Sequence, residues 1–419
     1  MSGIPVVVIG AGQAGLAVSW SLTASGVPHV VLDRGRIADR WASHPWESLR
    51  LLSPNWLSRL PGFRYTGPDP GGFMPAASVA AYLRSYAAAF AAPVVAGAEV
   101  LSVRPRGGRY EVTSTAGTWA ARAVVVATGW CDVPAVPALA GALDPRIAQV
   151  TPATYRNPQS LPDGRVLVVG ASATGAQIAD ELTAAGRPVV LAAGSHSRVP
   201  RRYRGRDIMW WLDAMGVLDR RLDEHPRPAG TRREPSLQLA GNAGGRDVDL
   251  WSLQRRGVVL AGRLVAADRR RVRFAGDLPF TTAAADLRLR RLRHRIDRYA
   301  AANGLADGTE RPGQVLAART DRAVERLDLR RDGVGSVVWA TGYRRAYPWL
   351  HVPVLDRAGE IVHTGGSTPA PGLYVVGMRW QSRRNSTFLD GVRHDAAAVT
   401  GRVLRHLGAA ARPRDGRAA

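Results

Sequence analysis

Val6-Val7-Val8-Ile9-Gly10-Ala11-Gly12-Gln13-Ala14-Gly15 is the stretch whose reading decides the fold. A short β-branched run feeds straight into a G-x-G-x-x-G turn, and an apolar helical pattern follows. That arrangement sets a dinucleotide pyrophosphate on a helix N-terminus, where backbone N–H groups are free and the helix dipole favours anions. Each glycine has its own task. Gly10 makes the tight turn, Gly12 lets the backbone approach the phosphates, and Gly15 lets helix and strand pack closely. A second apolar run, Val30-Val31-Leu32, closes on Asp33. A carboxylate at that spacing accepts hydrogen bonds from a ribose 2′-hydroxyl. Arg34 follows it, placed to lie along an adenine or ribose.

Further along the chain the motif repeats. Shifted by 160 positions, Val6 falls on Val166, Gly10 on Gly170, Gly12 on Ser172, Gly15 on Gly175, Leu22 on Leu182 and Val30 on Val190. This is a second β-turn-α-β unit and implies a second nucleotide site, with Gly170, Ser172, Ala173, Thr174 and Gly175 at its turn. Two differences carry information. Ser172 brings a hydroxyl that can bond a phosphate. Ala193 stands where the carboxylate was, and Ser195, Arg198 and Arg201 follow it. Exchanging a carboxylate for arginines suits a ribose 2′-phosphate. The second site therefore reads as NADPH rather than NADH. Arginine is frequent throughout, so which arginine holds the phosphate stays open.

A chain of 419 residues suggests two or three domains. Its formal charge of +23 is carried by arginine alone, since there is no lysine. The arginines are spread along the chain and no nucleic-acid module is recognised, so solvated faces are the better reading and nucleic acid is not expected as a partner. The single cysteine, Cys131, excludes a disulfide framework and a Cys-x-x-Cys redox pair, and points to a reducing, cytoplasmic setting. Cys131 itself reads as a small apolar residue. No apolar run is long enough to span a membrane, and no basic segment precedes the first strand as a signal peptide would require. The histidines show no metal-ligand spacing.

Between the two units, Trp41, Trp46, Trp56, Phe63, Tyr65 and Phe73 lie in a proline-rich stretch that reads as an ordered loop. Such rings either line a pocket or form a satellite apolar cluster. Short strands are expected at 100–103, 110–113 and 121–127, the last ending in Ala127-Thr128-Gly129. A small-residue turn at a strand's carboxyl end is where an open α/β sheet binds ligand. Residues 206–245 read as polar and irregular. Ala340-Thr341-Gly342-Tyr343 echoes the first Ala-Thr-Gly turn and suggests the chain returning to the other domain. A strand ending at Gly377 and a closing helix over 388–406 complete the pattern, with disorder expected over 408–419. The fold class is α/β: two Rossmann-like dinucleotide-binding domains, the second (160–330) inserted into the first (1–157 and 334–419).

Two dinucleotide units, two Ala-Thr-Gly turns and the closing Gly372-Leu373-Tyr374-Val375-Val376-Gly377 strand together resemble the class B flavoprotein monooxygenases, and most of all their bacterial CzcO-type branch. The stretch Trp46-Glu47-Ser48-Leu49-Arg50-Leu51-Leu52-Ser53-Pro54 is similar to a flavin-contacting segment of that family. The resemblance implies FAD in the first unit and NADPH in the second. It implies insertion of one oxygen atom from O₂ into a small organic substrate, at nitrogen, sulfur or a carbonyl, by way of a peroxyflavin. On it, Arg40, Trp41, Arg50, Leu51, Val100, Phe388 and Leu389 join the glycine turns as cofactor contacts. Asn55 is the candidate catalytic residue, three positions beyond Leu52, where some relatives carry an asparagine. Other positions depart from the family. Anchored on Tyr155, the family's F-x-G-x-x-x-H-x-x-x-(Y/W) fingerprint would place Thr151 at its histidine, Ile147 at its glycine and Pro145 at its phenylalanine. Ala38 and Asp39 replace the glycines before Trp41. These departures motivate the alternative of a reductase or oxidase without a stable peroxyflavin. Oligomeric state is open, a homodimer included.

Overall fold

The computed structural model describes residues 2–44, 46–225, 228–231, 234–242, 244–305 and 314–408. The expected disorder from 408 onward therefore falls almost wholly outside the described residues.

The opening motif folds as its spacing requires. Strand β1 (Ser2–Ile9) runs into Gly10, and helix α1 (Gln13–Ala24) starts with Gly12 as its N-cap. Val6, Val7 and Val8 are fully buried, each worth roughly 1.5 kcal/mol or more by removal of its side chain from water. β1 lies between two parallel neighbours, β2 (His29–Asp33) and, after the edge strand β3 (Val94–Ala96) and the meander β4 (Val100–Arg106) and β5 (Arg109–Ser114), the return strand β6 (Gly117–Val126). Helix α2 (Ala76–Ala89) covers one face, where Val79, Leu83 and Tyr86 join the α1 core.

The second unit repeats this plan. β7 (Ala148–Val150) is its edge; β8 (Arg165–Val169), helix α3 (Ala173–Ala184), β9 (Val189–Ala192) and β10 (Val259–Ala261) follow. Register reproduces the 160-residue shift: Val6 pairs His29 and Val166 pairs Val189, Val7 pairs Val30 and Leu167 pairs Val190. A three-stranded antiparallel sheet follows, Leu264–Asp268, Arg271–Phe274 and, beyond the helix Leu278–Ala302, Arg326–Asp328, and then the return strand β11 (Val334–Trp339). β11 pairs with β8 just as β6 pairs with β1.

That pairing corrects two expectations. Residues 334–339 belong to the second sheet, not to the first unit, and β7 pairs with them there. The second Ala-Thr-Gly turn is therefore the second unit's own return turn. After it the chain bridges the first sheet at Leu350, beside Val103, and then adds the strand β12 (Leu373–Val375) beside β6.

Two further differences are local. A helix, α4 (Ile208–Ala214), lies in the stretch read as irregular. It is capped by the Asp207 carboxylate, which accepts from the Met209 amide at 2.7 Å, and it buries Ile208, Trp211 and Leu212. The closing helix, α5 (Val392–Leu407), begins four residues later than expected, because Phe388 to Gly391 turn into it.

Candidate active-site cleft

The two glycine turns have the same build. A Cβ on Gly10 would stand 2.6 Å from the Ala127 carbonyl oxygen, and one on Gly170 would stand 2.3 Å from that of Ala340. Both glycines adopt a φ near +105°, which side chains disfavour. A Cβ on Gly15 or Gly175 would run into the carbonyl of Gly10 or Gly170, at 1.8 and 1.7 Å. These four glycines let strand, turn and helix close together. Gly12 is different: nothing lies within 4 Å of the place its Cβ would take. The α1 turn faces open space at the point where a pyrophosphate would approach. Ser172 takes the same place at α3, and its hydroxyl makes no capping bond.

Asp33 is held beside the first turn. One carboxylate oxygen accepts from the Ala11 amide at 2.6 Å, the other from the Gly35 amide at 2.8 Å. Neighbouring Arg34 pairs with Asp132 at 3.3 Å. Gly97 and Ala98 donate their amides to the carbonyls of Gly35 and Asp33, so they border this end of the site. Val100, expected there, instead buries its side chain in the core on the sheet's other face.

A cavity of about 420 Å³ lies where the helix starts Gln13 and Ala173–Thr174 both open. Gln13 is fixed at both ends of its amide, donating to the Thr387 carbonyl and accepting from the Trp41 indole, each at 3.1 Å. Trp41, Arg50, Leu51, Phe388 and Leu389 line the cavity with it. Arg40 lines it too and donates to the carbonyls of Cys131 and Asp132. Ala14 meets the closing strand at Gly377, whose φ of +88° and missing Cβ leave room for it. Thr128 and Gly129 lie open at the end of β6. At the end of β11, Thr341 donates its hydroxyl to the Ala135 carbonyl at 2.7 Å, and Gly342 leads into Tyr343, which lines the cavity. The aromatic loop divides between its two readings. Trp41 and Trp46 line the cavity, while Phe63 stacks on Tyr82 and Tyr86 in the core.

Three site expectations change. Asn55 is 4% exposed, donates to the Asp69 carbonyl at 2.9 Å and accepts from the Met74 amide at 2.7 Å. It fastens the aromatic loop to itself and does not line the cavity. Arg198 is buried between Asp249 and Asp286, and also donates to the Leu316 carbonyl. Arg201, 1% exposed, pairs with Asp207, donates to the Leu52 carbonyl and lies 4.9 Å over the Phe73 ring. Neither guanidinium is free for a phosphate. A more exposed cation beside Gly194, next to Ser195, is Arg263, which faces Asp277 at 3.6 Å and was missed by sequence reading because it lies at the end of β10. Its Nε is 3.5 Å from where a Cβ on Gly194 would be, and its side chain is 60% exposed. β10 pairs with β9, and that pairing brings the two loops together.

Cys131 lines the same cavity, and burial pushes its thiol up to about 12 despite Arg40, Arg379 and Arg345 nearby. Burial likewise raises the Tyr343 phenol to about 12. Among the described residues no group of three His, Cys, Asp or Glu side chains is placed to hold a metal ion, and no helix is long and apolar enough to cross a membrane.

The chain matches the pyridine nucleotide-disulphide oxidoreductase family over residues 7–212. It is 29% identical to a CzcO-like oxidoreductase of Geobacillus kaustophilus over 96% of this chain and 99% of that protein. Along nearly its whole length the chain is thus similar to CzcO-like oxidoreductases. An indole-3-pyruvate monooxygenase of rice is also 29% identical to it, over 60% of this chain and 67% of that protein. The fold is shared with a flavin-containing monooxygenase from Stenotrophomonas maltophilia, at 22% identity and a TM-score of 0.66, over 97% of this chain and 100% of that one. The open turns at Gly12 and Ser172 fit the pyrophosphates of FAD and NADPH. With one cysteine, this sequence cannot form a redox disulfide of its own.

Proposed function

We propose that the protein is an NADPH-dependent, FAD-containing monooxygenase that places one oxygen atom of O₂ into a small organic substrate. The observation that carries this reading is the convergence of both helix starts, Gln13 on one side and Ala173–Thr174 on the other, on one aromatic-walled cavity. Bound FAD supplies the redox and oxygen chemistry, and NADPH supplies the hydride. The rest is the work of the chain's own residues. The α1 amides and Gly12 receive the FAD pyrophosphate, and Asp33 receives its ribose. Ser172 and the α3 amides receive the second pyrophosphate. Arg263, beside Gly194 and Ser195, faces the 2′-phosphate. Trp41, Trp46 and Trp380 restrict water at the reacting end, which favours oxygen transfer over wasteful release. The name of the rice relative supports oxygenation as the reaction.

On this reading the first nucleotide domain holds FAD and the second, inserted between β6 and β12, holds NADPH. The single cysteine and the chain's redox class suit the cytoplasm.

Turnover with NADPH under ¹⁸O₂, followed by mass spectrometry of the product, tests the proposal. Label in the product supports it; NADPH consumption with no label in any product refutes it. The second reading is a reductase or oxidase. It is favoured by the loss of the fingerprint histidine at Thr151 and by the structural employment of Asn55, and it predicts peroxide or a reduced acceptor instead of labelled product.

A further inference from the structure

The helix Leu278–Ala302 turns one line of side chains away from the protein. Phe280, Ala284, Leu287, Arg291, His294 and Arg298 are all exposed and follow one another at alternating steps of four and three residues. Steps of that size keep them on one face of a helix, in a stripe about 27 Å long at 1.5 Å per residue. The opposite side is core, where Leu278, Ala285, Leu289, Ile296 and Ala300 are buried. The stripe is divided along its length. Its first half is apolar: Phe280 is 77% exposed and Leu287 46%, with the exposed Pro279 and Ala283 beside them. Its second half is cationic, because the exposed Arg290 and Arg295 flank Arg291, His294 and Arg298. The helix's own two acids give this face no counter-charge. Asp286 is buried and pairs with Arg198, and Asp297 bonds Tyr203 and Arg204. Among the described residues no carboxylate pairs with Arg290, Arg291 or Arg298. Arginine is spread widely over this chain, and elsewhere a solvated face accounts for it. Here the unpaired arginines continue a line that begins with a phenylalanine standing in water.

Water around so large an apolar side chain is unfavourable, and burial of the ring by a partner would be a gain. A phospholipid layer accepts a projecting ring without needing a matching groove. Its anionic headgroups present phosphate, which a guanidinium grips with two parallel bonds. A helix with apolar and arginine side chains on its outer face is suited to lie in the plane of such an interface. We infer that this face docks the protein on an anionic phospholipid surface. Phe280 and Leu287 enter the boundary between headgroups and acyl chains, and Arg290, Arg291 and Arg298 take lipid phosphates. The helix lies on the membrane and does not cross it, since it is not apolar enough to span. The inference goes beyond the oxygenase reading and does not rest on it.

The test is co-sedimentation of the FAD-loaded full chain with vesicles at about 0.15 M salt. Vesicles of phosphatidylglycerol and phosphatidylcholine are compared with vesicles of phosphatidylcholine alone. The anionic vesicles are expected to bind at least about ten-fold more tightly. An arginine at such a surface contributes about five-fold in affinity. Arg290→Gln, Arg291→Gln and Arg298→Gln together should therefore weaken binding by well over about ten-fold. Phe280→Ser, which leaves the net charge unchanged, should weaken it by about five-fold, and Phe280→Trp should preserve it. Arg84→Gln, Arg104→Gln and Arg109→Gln remove the same charge from exposed arginines of the first unit. That variant should weaken binding by less than about three-fold, because salt screens charges that do not touch the surface. FAD content and the thermal transition of all these variants should match those of the unaltered protein. Absence of binding to the anionic vesicles overturns the inference. Equal losses in the two triple variants, or no loss with Phe280→Ser, also overturn it, since net charge alone would then explain the binding. So does a helix triple variant that loses affinity for duplex DNA and keeps its affinity for vesicles, because the face would then serve nucleic acid.

Discussion

The carbonyl oxygen of Ala340 lies 2.3 Å from where a Cβ on Gly170 would stand. The second Ala-Thr-Gly turn is thus part of the second phosphate cradle, in the way Ala127 is part of the first. Gly170→Ala puts a methyl group into that carbonyl and forces alanine to a φ of +105°. Such backbone strain costs on the order of 1–3 kcal/mol. The variant should purify yellow, with its FAD intact, and bind NADP⁺ at least about ten-fold more weakly by calorimetry. Gly10→Ala should show the converse, a colourless protein that still binds NADP⁺. Loss of both cofactors in either variant would mean that the two cradles are not separate.

Arg263 rather than Arg198 or Arg201 should set the choice between NADPH and NADH. A charge-assisted bond to phosphate contributes roughly 1.5–3 kcal/mol. Arg263→Gln should therefore cut the affinity for 2′,5′-ADP by about ten-fold or more and leave that for 5′-AMP unchanged. Arg198→Gln should instead lower thermal stability, because it leaves Asp249 and Asp286 buried and unpaired. If only the Arg198 variant loses 2′,5′-ADP binding, the assignment is wrong.

Asn55 should act on stability and not on chemistry. Asn55→Ala removes two hydrogen bonds at a buried position, a loss of about 1–3 kcal/mol. Chemical denaturation should show that loss, while the rate of flavin reduction per folded molecule stays as it was. A variant of normal stability with no turnover would restore Asn55 to the catalytic machinery.

Cys131 should be inert at neutral pH. Its thiol is raised from 9.0 to about 12 by burial. Between those values the folded protein keeps a proton that the unfolded chain has lost. Folding stability from this group is thus full below pH 9 and falls as pH rises toward about 12. Iodoacetamide should leave the native protein unmodified at neutral pH, and Cys131→Ala should lessen its alkaline sensitivity. Rapid alkylation at neutral pH would contradict the burial argument.

Much of this architecture is legible in the chain because one physical unit is written twice. Gly10, Gly15, Gly170 and Gly175 are demanded by close backbone approach, so their spacing reports three-dimensional geometry directly. Asp33 and its replacement by Ala193 are legible for the same reason, since each sits at a fixed step along a strand. The arginines are another matter. Arg198 and Arg201 follow β9 where a phosphate contact is expected, but Asp249, Asp286 and Asp207 come from elsewhere in the chain and claim them. Arg263 reaches the site through the pairing of β10 with β9, a long-range register that no local pattern encodes. Helix α4 was hidden in an arginine-rich stretch, although Asp207 followed by Ile208, Trp211, Leu212 and Met215 carries both a cap and an apolar stripe. Asn55 was misjudged because a motif offset cannot tell which backbone groups will satisfy an amide.

The central claim is that two cradles deliver FAD and NADPH to one cavity. Anaerobic mixing of the purified protein with NADPH, watched at the flavin's visible absorption band, tests it most directly. The account predicts a yellow protein with one FAD per chain whose colour is bleached by NADPH, and more slowly by NADH. A colourless protein that cannot be reconstituted with FAD, or a yellow one that neither NADPH nor NADH bleaches, would contradict it.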